Sequence, residues 1–195
     1  MKELFFASQN ANKIREISEI LKDKYKIVSL ADLNDDMIVE ETESTLEGNA
    51  IIKARYLFNK YGKPCFADDS GLEIDALNGA PGVYSARYAG ENCDSLANMN
   101  KVLDRMHAIS NRKARFRTVI AYICSRGEIL FEGTVSGVIT SEMRGTDGFG
   151  YDPIFQPDGG NGLTFAQMSS VQKNSMSHRA EAIKHFVNYL TRNDE

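Results

Sequence analysis

Residues Cys65 to Gly90, CFADDSGLEIDALNGAPGVYSARYAG, constrain the fold more than any other stretch of the chain. A short apolar run ends in two adjacent carboxylates, Asp68 and Asp69, followed at once by the hydroxyl of Ser70 and by Gly71, which reads as a turn glycine. A second strand-like run, Leu72 to Ile74, leads into a loop with Gly79, Pro81 and Gly82 and on to Arg87. Carboxylates at the end of a buried strand sit in low dielectric on rigid backbone, where a divalent cation or a proton is drawn to them. The glycines and proline mark places where the backbone turns sharply.

The 195 residues suffice for a sizeable core, in one domain or two closely joined lobes. A net charge of −4 weighs against a non-specific nucleic-acid or membrane-surface binder, because those partners are drawn by a positive field. A small anionic ligand remains compatible, since local basic residues supply the field it needs. Cys65, Cys93 and Cys124 are odd in number and lack CxxC spacing, which argues against a zinc site or disulfide framework and for a reducing cytoplasm. Cys65 and Cys124 read as core filling. No secretory signal or bilayer-spanning stretch is visible.

Lys2 to Ala7 reads as a first strand, Ser8 to Asn12 as a polar turn, and Ile14, Ile17, Ile20 and Leu21 as one face of a helix capped by Asn10 or Asn12. A helix start presents unpaired N–H groups and partial positive charge, which stabilise phosphate. Lys13 in its first turn opposes the dipole, which makes sense if it serves a phosphate; a solvated surface lysine is the alternative. Tyr25 to Leu30 reads as a second strand. Seven acidic residues follow between Asp32 and Glu47. They read mostly as solvated loop charges, with Glu40 or Glu41, after the apolar pair Ile38 and Val39, able to turn inward onto a metal.

Thr45 to Tyr61 reads as a helix with the stripe Leu46, Ala50, Ala54, Leu57 and Phe58. Its Lys53 and Arg55 are surface cations by default, either able to face a phosphate. Asp94 to Met106 reads as a helix burying Leu96, Met99, Val102, Leu103 and Met106, and Ala114 to Cys124 as an alternating strand. A turn at Ser125–Glu128 leads to a partner strand, Ile129 to Ser136, in which Gly133 and Gly137 suggest bends or bulges. The loop Gly145 to Pro153 mixes glycines with Phe149 and Tyr151, either a stacking site for a ligand or a hairpin with its aromatics tucked inward. Gln156 to Gly162 reads as a loop and Thr164 to Lys173 as a short helix. Ser177 reads as the cap of a final helix with Ile183, Phe186, Val187 and Leu190 on its apolar face. His178 and Arg179 stand in its first turn, a second helix start with donors where acids are preferred.

ADDSGLEIDALNGAPGVYSARYAG, with SQNANKIREI before it and GFGYDPIF and SHRAEAI after it, resembles the inosine/xanthosine triphosphate pyrophosphatases over nearly the whole chain. One departure is Ser8-Gln9, where many members carry Thr-Gly. The resemblance implies Mg²⁺-dependent hydrolysis of ITP, dITP or XTP between the α and β phosphates. It implies Ser8, Gln9, Asn10, Ala11, Asn12 and Lys13 as a phosphate-binding segment. Asp69 would be general base and metal ligand, with Glu41 or Glu40 and Asp68 as further acids near the metal. Ser70 and Arg87 would touch substrate. Phe149, Gly150, Tyr151 and Asp152, with Lys173, His178 and Arg179, would hold the base, and Lys53 would join Lys13 on the leaving pyrophosphate. It also implies a homodimer.

The fold expected is α/β, one domain over residues 1–195 with a central mixed, twisted sheet flanked by helices, in two lobes with the nucleotide in the cleft between them. Partners expected are a small-molecule nucleotide, with no nucleic acid and no membrane. Three rivals stand beside this reading. A Maf-type pyrophosphatase is disfavoured by GFGYDP and SHR. A nucleotide-sensing module would use the carboxylates as structure only. A haloacid-type phosphatase would need Asp-x-Asp, where this chain has Asp68-Asp69-Ser70-Gly71.

Overall fold

The computed structural model describes residues 2–36 and 39–193. Ile38 lies outside the described residues. The elements in order are β1 (Lys2–Phe6), α1 (Ala11–Leu21), β2 (Tyr25–Ser29), α2 (Leu46–Tyr61), β3 (Cys65–Ile74), α3 (Ser95–Arg105), β4 (Lys113–Cys124), β5 (Gly127–Ile139), β6 (Phe155–Pro157), α4 (Ser170–Asn174) and α5 (His178–Asn193), with short 3-10 turns between several of them. The strands form one mixed sheet in the order β2-β1-β3-β4-β5-β6. β1 runs parallel to both β2 and β3, and β5 runs antiparallel to β6. The α/β class expected from the alternation of strand and helix patterns is what the chain forms. Among the described residues no helix is long and apolar enough to cross a membrane.

The chain divides into two units, each with its own core. The first comprises residues 1–69, 118–133 and 179–195; the second comprises 70–117 and 134–178. In the first, Leu4, Phe6, Ile17, Leu21 and Phe66 pack with Ile120, Tyr122, Ala182, Ile183, Phe186 and Leu190. This is the apolar face predicted for α1 and α5, with Phe6 stacked on Phe66 at 4.7 Å. In the second, Leu72, Ile74, Met99, Val102, Met106, Phe116, Phe155 and Phe165 form the core.

Capping follows the sequence signals. Asn10 caps α1 through its side chain, Thr45 caps α2, Asp94 caps α3, and Gly62 ends α2 in the left-handed conformation. Cys65 and Cys124 are buried and all three cysteines are free. Burial alone pushes the Cys65 thiol up to about 12, which fits core filling and no reactivity.

Several expectations need correction. Leu96 faces outward at 55% exposure, because α3 buries only the Asn98, Met99 and Val102 side with Met106 beyond its end. The stretch 164–173 is no single helix: a 3-10 turn at Phe165–Gln167 and α4 are separated by extended Met168 and Ser169, each half closed by its own capping box. Gln156 and Pro157, read as part of a loop, belong with Phe155 to a strand that pairs with the end of β5, and Gly137 is there because a Cβ would strike the Gln156 carbonyl.

Gly71 does not turn the chain. β3 runs unbroken from Cys65 to Ile74, and a Cβ at Gly71 would meet the Gly82 carbonyl oxygen at 2.5 Å. The glycine permits close backbone approach rather than a bend. Gly71→Ala therefore forces main chain apart and is expected to destabilise by about 1–3 kcal/mol, as overpacking does, read from the urea midpoint of the purified protein.

Candidate active site

The first unit gathers charge at the end of its part of β3. Asp68 and Asp69 are 2% and 5% exposed, so each carboxylate needs a partner. Three helices supply them. From α1, the Lys13 ammonium stands 3.1 Å from Asp68. From α2, Lys53 stands 3.0 Å from Asp69 and 2.7 Å from Glu41. From α5, Arg179 stands 3.3 Å from Asp68 and pairs with Glu16 of α1. Asn49, fully buried on α2, points its amide at Asp69 at 3.5 Å while its carbonyl accepts the Glu43 main-chain N–H at 3.0 Å.

The two aspartates titrate in opposite directions. Burial would raise Asp68, but Lys13, Arg179 and Lys53 hold it well below the usual carboxylate range. Asp69 is raised: burial outweighs the Lys53 and Lys13 ammoniums, and Glu41 pushes the same way. Burial lowers Lys13, whereas Lys53, also buried, is raised because Asp69 and Glu41 flank it. Asp69 is thus the member of the pair that holds a proton more readily, and Asp68 is an anion paired with Lys13 and Arg179.

The segment Ser8 to Lys13 is more fully capped than its sequence suggested. Asn10 Oδ1 accepts the Asn12 and Lys13 N–H groups at 3.0 and 3.1 Å, and Ser8 Oγ accepts the Asn10 N–H at 3.2 Å. Ala11 opens α1, and Gln9 donates its side-chain amide to the Asp35 carbonyl at 3.1 Å. Of the two candidate glutamates, Glu41 meets Lys53 and Glu40 is exposed. Arg55 pairs with Glu128 on the surface, as its default predicted.

The second unit holds another cluster, built on the GFGYDP loop. Asp152, 3% exposed, accepts the Phe149 N–H at 2.9 Å and the Lys173 ammonium at 2.6 Å. The same ammonium lies 4.8 Å from the centre of the Phe149 ring, a cation–π contact. Gly148 is in the left-handed region at φ +74°, and a Cβ there would strike the Asp152 carboxylate. Tyr151 is buried, donating its phenol to the Ser85 carbonyl at 2.7 Å, while Phe149 and Gly150 are half-buried. Of the two aromatics in the loop, Tyr151 is tucked inward, and Phe149 is half-buried with Lys173 over its ring. His178 is 4% exposed and stacks on Phe116 at 4.7 Å with 11° between the rings. Ser70 is half-buried on β3, and Arg87 ends a 3-10 turn with its guanidinium 5.5 Å from the Tyr84 ring.

Known proteins match this chain along nearly its full length. The model of the Ham1 family matches residues 4–189. The chain belongs to the Ham1 family. Relatives of this Ham1 chain include the dITP/XTP pyrophosphatase of Porphyromonas gingivalis, 48% identical over 97% of this chain and 98% of the relative. That of Bacillus licheniformis is 47% identical over 94% and 95%. Solved structures of the Staphylococcus aureus and Coxiella burnetii Ham1 proteins superpose with TM-scores of 0.87 and 0.88, at 43% and 41% identity. The first covers 97% of this chain and 98% of that one; the second covers 98% and 100%.

Glu16, Asn49 and Asp35 were missed. A glutamate two positions after an apolar helix residue reads as solvated, whereas Arg179 from the far end of the chain gives Glu16 a buried partner. Arg179→Met leaves Glu16 and Asp68 without their shared guanidinium, and breaking such a buried pair is expected to cost about 3–5 kcal/mol. Urea unfolding reads the loss, and adding Glu16→Gln should recover part of it.

Proposed function

We propose that this Ham1 chain hydrolyses the purine nucleoside triphosphates ITP, dITP and XTP to the monophosphate and pyrophosphate. The observation that carries the reading is the Lys53 ammonium held between Asp69, buried within β3, and the half-buried Glu41, one cation touching two carboxylates. The name dITP/XTP pyrophosphatase borne by relatives at 47–48% identity supports the substrate class.

The donor set fits Mg²⁺. Among the described residues no three acids, histidines or cysteines gather as a cage, but Mg²⁺ is usually held by one or two carboxylates with substrate phosphates and waters. Asp69 and Glu41, already sharing one cation, are the residues that would hold it, with Asp68 and Glu40 next along the chain. When bound, Mg²⁺ neutralises phosphate charge and favours attack by water. Asp69, raised by burial, accepts the proton as the water oxygen bonds to the α-phosphorus. The α–β P–O bond breaks and its electron pair leaves on pyrophosphate. Lys13 and Lys53 stabilise that charge, with the Ser8–Lys13 segment binding phosphate oxygens. Ser70 and Arg87 complete the contacts to substrate.

We assign the base to Phe149, Gly150, Tyr151, Asp152, Lys173, His178 and Arg179. Phe149 offers a stacking face worth roughly 1–3 kcal/mol. His178 and Arg179 donate to a 6-oxo group; an adenine amino group there sets donor against donor. Arg179 carries several N–H donors, enough to serve Glu16, Asp68 and a ligand. The net charge of −4 and the three free cysteines support a cytoplasmic enzyme without nucleic-acid or membrane partners, and the family resemblance supports a homodimer.

Pyrophosphate release from ITP, XTP, GTP and ATP, with and without Mg²⁺, tests the reading. Turnover is expected for ITP and XTP, to vanish with EDTA and return with Mg²⁺; a protein that binds ITP and releases nothing is a sensor instead. Asp69→Asn should lose turnover while keeping its circular dichroism and unfolding midpoint, and near-normal kcat in that variant would reassign the base. His178→Leu should narrow the ITP/ATP ratio of kcat/KM by at least about tenfold, with His178→Gln retaining most of it. An unchanged ratio in His178→Leu would place base recognition elsewhere.

A further inference from the structure

Asp35 lies among seven acidic residues between positions 32 and 47, yet it is only 4% exposed. A carboxylate buried in that way needs donors on its oxygens. Three of them come from the C-terminal half of α2. The Tyr56 hydroxyl lies 3.0 Å from both oxygens, the Tyr61 hydroxyl 3.0 Å from Oδ2, and the Lys60 ammonium 2.9 Å from Oδ2. The Asp35 N–H is also fixed, donating to the Leu30 carbonyl at 2.9 Å. With side chain and N–H both held, the Asp35 carbonyl has a set direction, and it accepts the Gln9 side-chain amide at 3.1 Å. Gln9 is itself exposed, and it stands directly before Asn10, whose side chain caps α1 and orders Asn12 and Lys13.

We infer that Asp35 is a positioning residue for the segment Gln9 to Lys13, with Tyr56, Lys60 and Tyr61 as its anchor and the Gln9 side chain as the tether. The inference rests on the assignment of that segment to phosphate binding. One Gln9 amide donor is engaged by the Asp35 carbonyl, which fixes the side chain and leaves the Gln9 main chain facing the segment it leads into. The polyphosphate meets a segment already ordered, so less freedom is lost on binding. Neither Asp35 nor its three anchors touches the charge cluster at Asp68 and Asp69 through any hydrogen bond or ion pair described above, so loss of the tether acts on substrate binding rather than on proton transfer.

The test compares wild type, Gln9→Met, Tyr56→Phe/Tyr61→Phe and the combination of all three changes. Gln9→Met keeps the length of the side chain and removes the donor; the Phe changes keep the rings and remove two donors from Asp35. Three readouts are taken: steady-state hydrolysis of ITP, binding of inorganic pyrophosphate with Mg²⁺ by calorimetry, and amide hydrogen exchange of Gln9 to Lys13 without ligand. One net hydrogen bond corresponds to about a fivefold change in affinity. KM and the pyrophosphate dissociation constant should therefore each rise about fivefold in Gln9→Met, kcat should move less than about twofold, and exchange across Gln9–Lys13 should quicken. The double Phe variant should do the same, and the combination should add little, because both changes cut one tether. Additive effects, or unchanged pyrophosphate affinity and exchange in Gln9→Met, would overturn the inference and leave Asp35 a fold residue alone. Wild-type protein that releases no pyrophosphate from ITP would instead sink the assigned reaction, while exchange and pyrophosphate binding still decide the tether.

Discussion

Two adjacent carboxylates buried in the middle of β3, and not at a strand end as the sequence suggested, set the terms for the first unit of this protein. Neither Asp68 nor Asp69 keeps enough water to be stable alone, and each uncompensated buried charge costs several kcal/mol. Lys13, Lys53 and Arg179 answer that demand from three helices far apart in sequence, so α1, α2 and α5 are positioned by charge as well as by the apolar faces that pack them. Because the partners differ, the carboxylates part company: Asp68 is locked as an anion, and Asp69 is lifted toward the range where it exchanges a proton. The two neighbours differ in this way because three cations offset the burial of Asp68, whereas burial and Glu41 prevail at Asp69.

Periodicity and capping residues made the helices and most strands legible before any coordinates. Asn10 caps α1 as one of the two residues its sequence offered, the helical stretches read from Thr45 and Asp94 begin on the residues that cap them, and the apolar face of α5 is the one its spacing gives. What failed was whatever depended on a distant segment. Gly71 follows two polar residues and so carries the local signal of a turn, yet its meaning lies in the Gly82 carbonyl lying against it. Asp35 has the look of a loop charge until α2 brings two tyrosines and a lysine over it. Residues 155–157 form a strand only because β5 offers them an edge.

The site divides the same way. Asp69, Lys13 and the GFGYDP loop stand out as residue types in unusual company, and the structure does bring Lys13, Lys53, Asp68, Asp69 and Glu41 into one cluster and Phe149, Asp152 and Lys173 into another. Composition offers no means of choosing Glu41 over Glu40, since both carry the same group one position apart. The choice is made by Lys53, which reaches one and not the other among the contacts the fold creates. Glu16 and Asn49 were invisible for a related reason: each supports a functional side chain rather than presenting one.

The charge balance of the first cluster bears on how it handles a polyanion. Lys13, Lys53 and Arg179 are shared among the carboxylates of Glu16, Glu41, Asp68 and Asp69. A phosphate oxygen about 4 Å from a carboxylate is repelled by roughly 4 kcal/mol at an effective dielectric near 20. That is comparable to the affinity difference between a millimolar and a micromolar ligand, about 4 kcal/mol. A triphosphate settling against this cluster therefore needs added positive charge, and the carboxylates already crowded on Lys53 are where it is stabilised most. On the proposed assignment, the carboxylates that make the cluster a poor phosphate site by themselves favour a nucleotide arriving with a divalent cation.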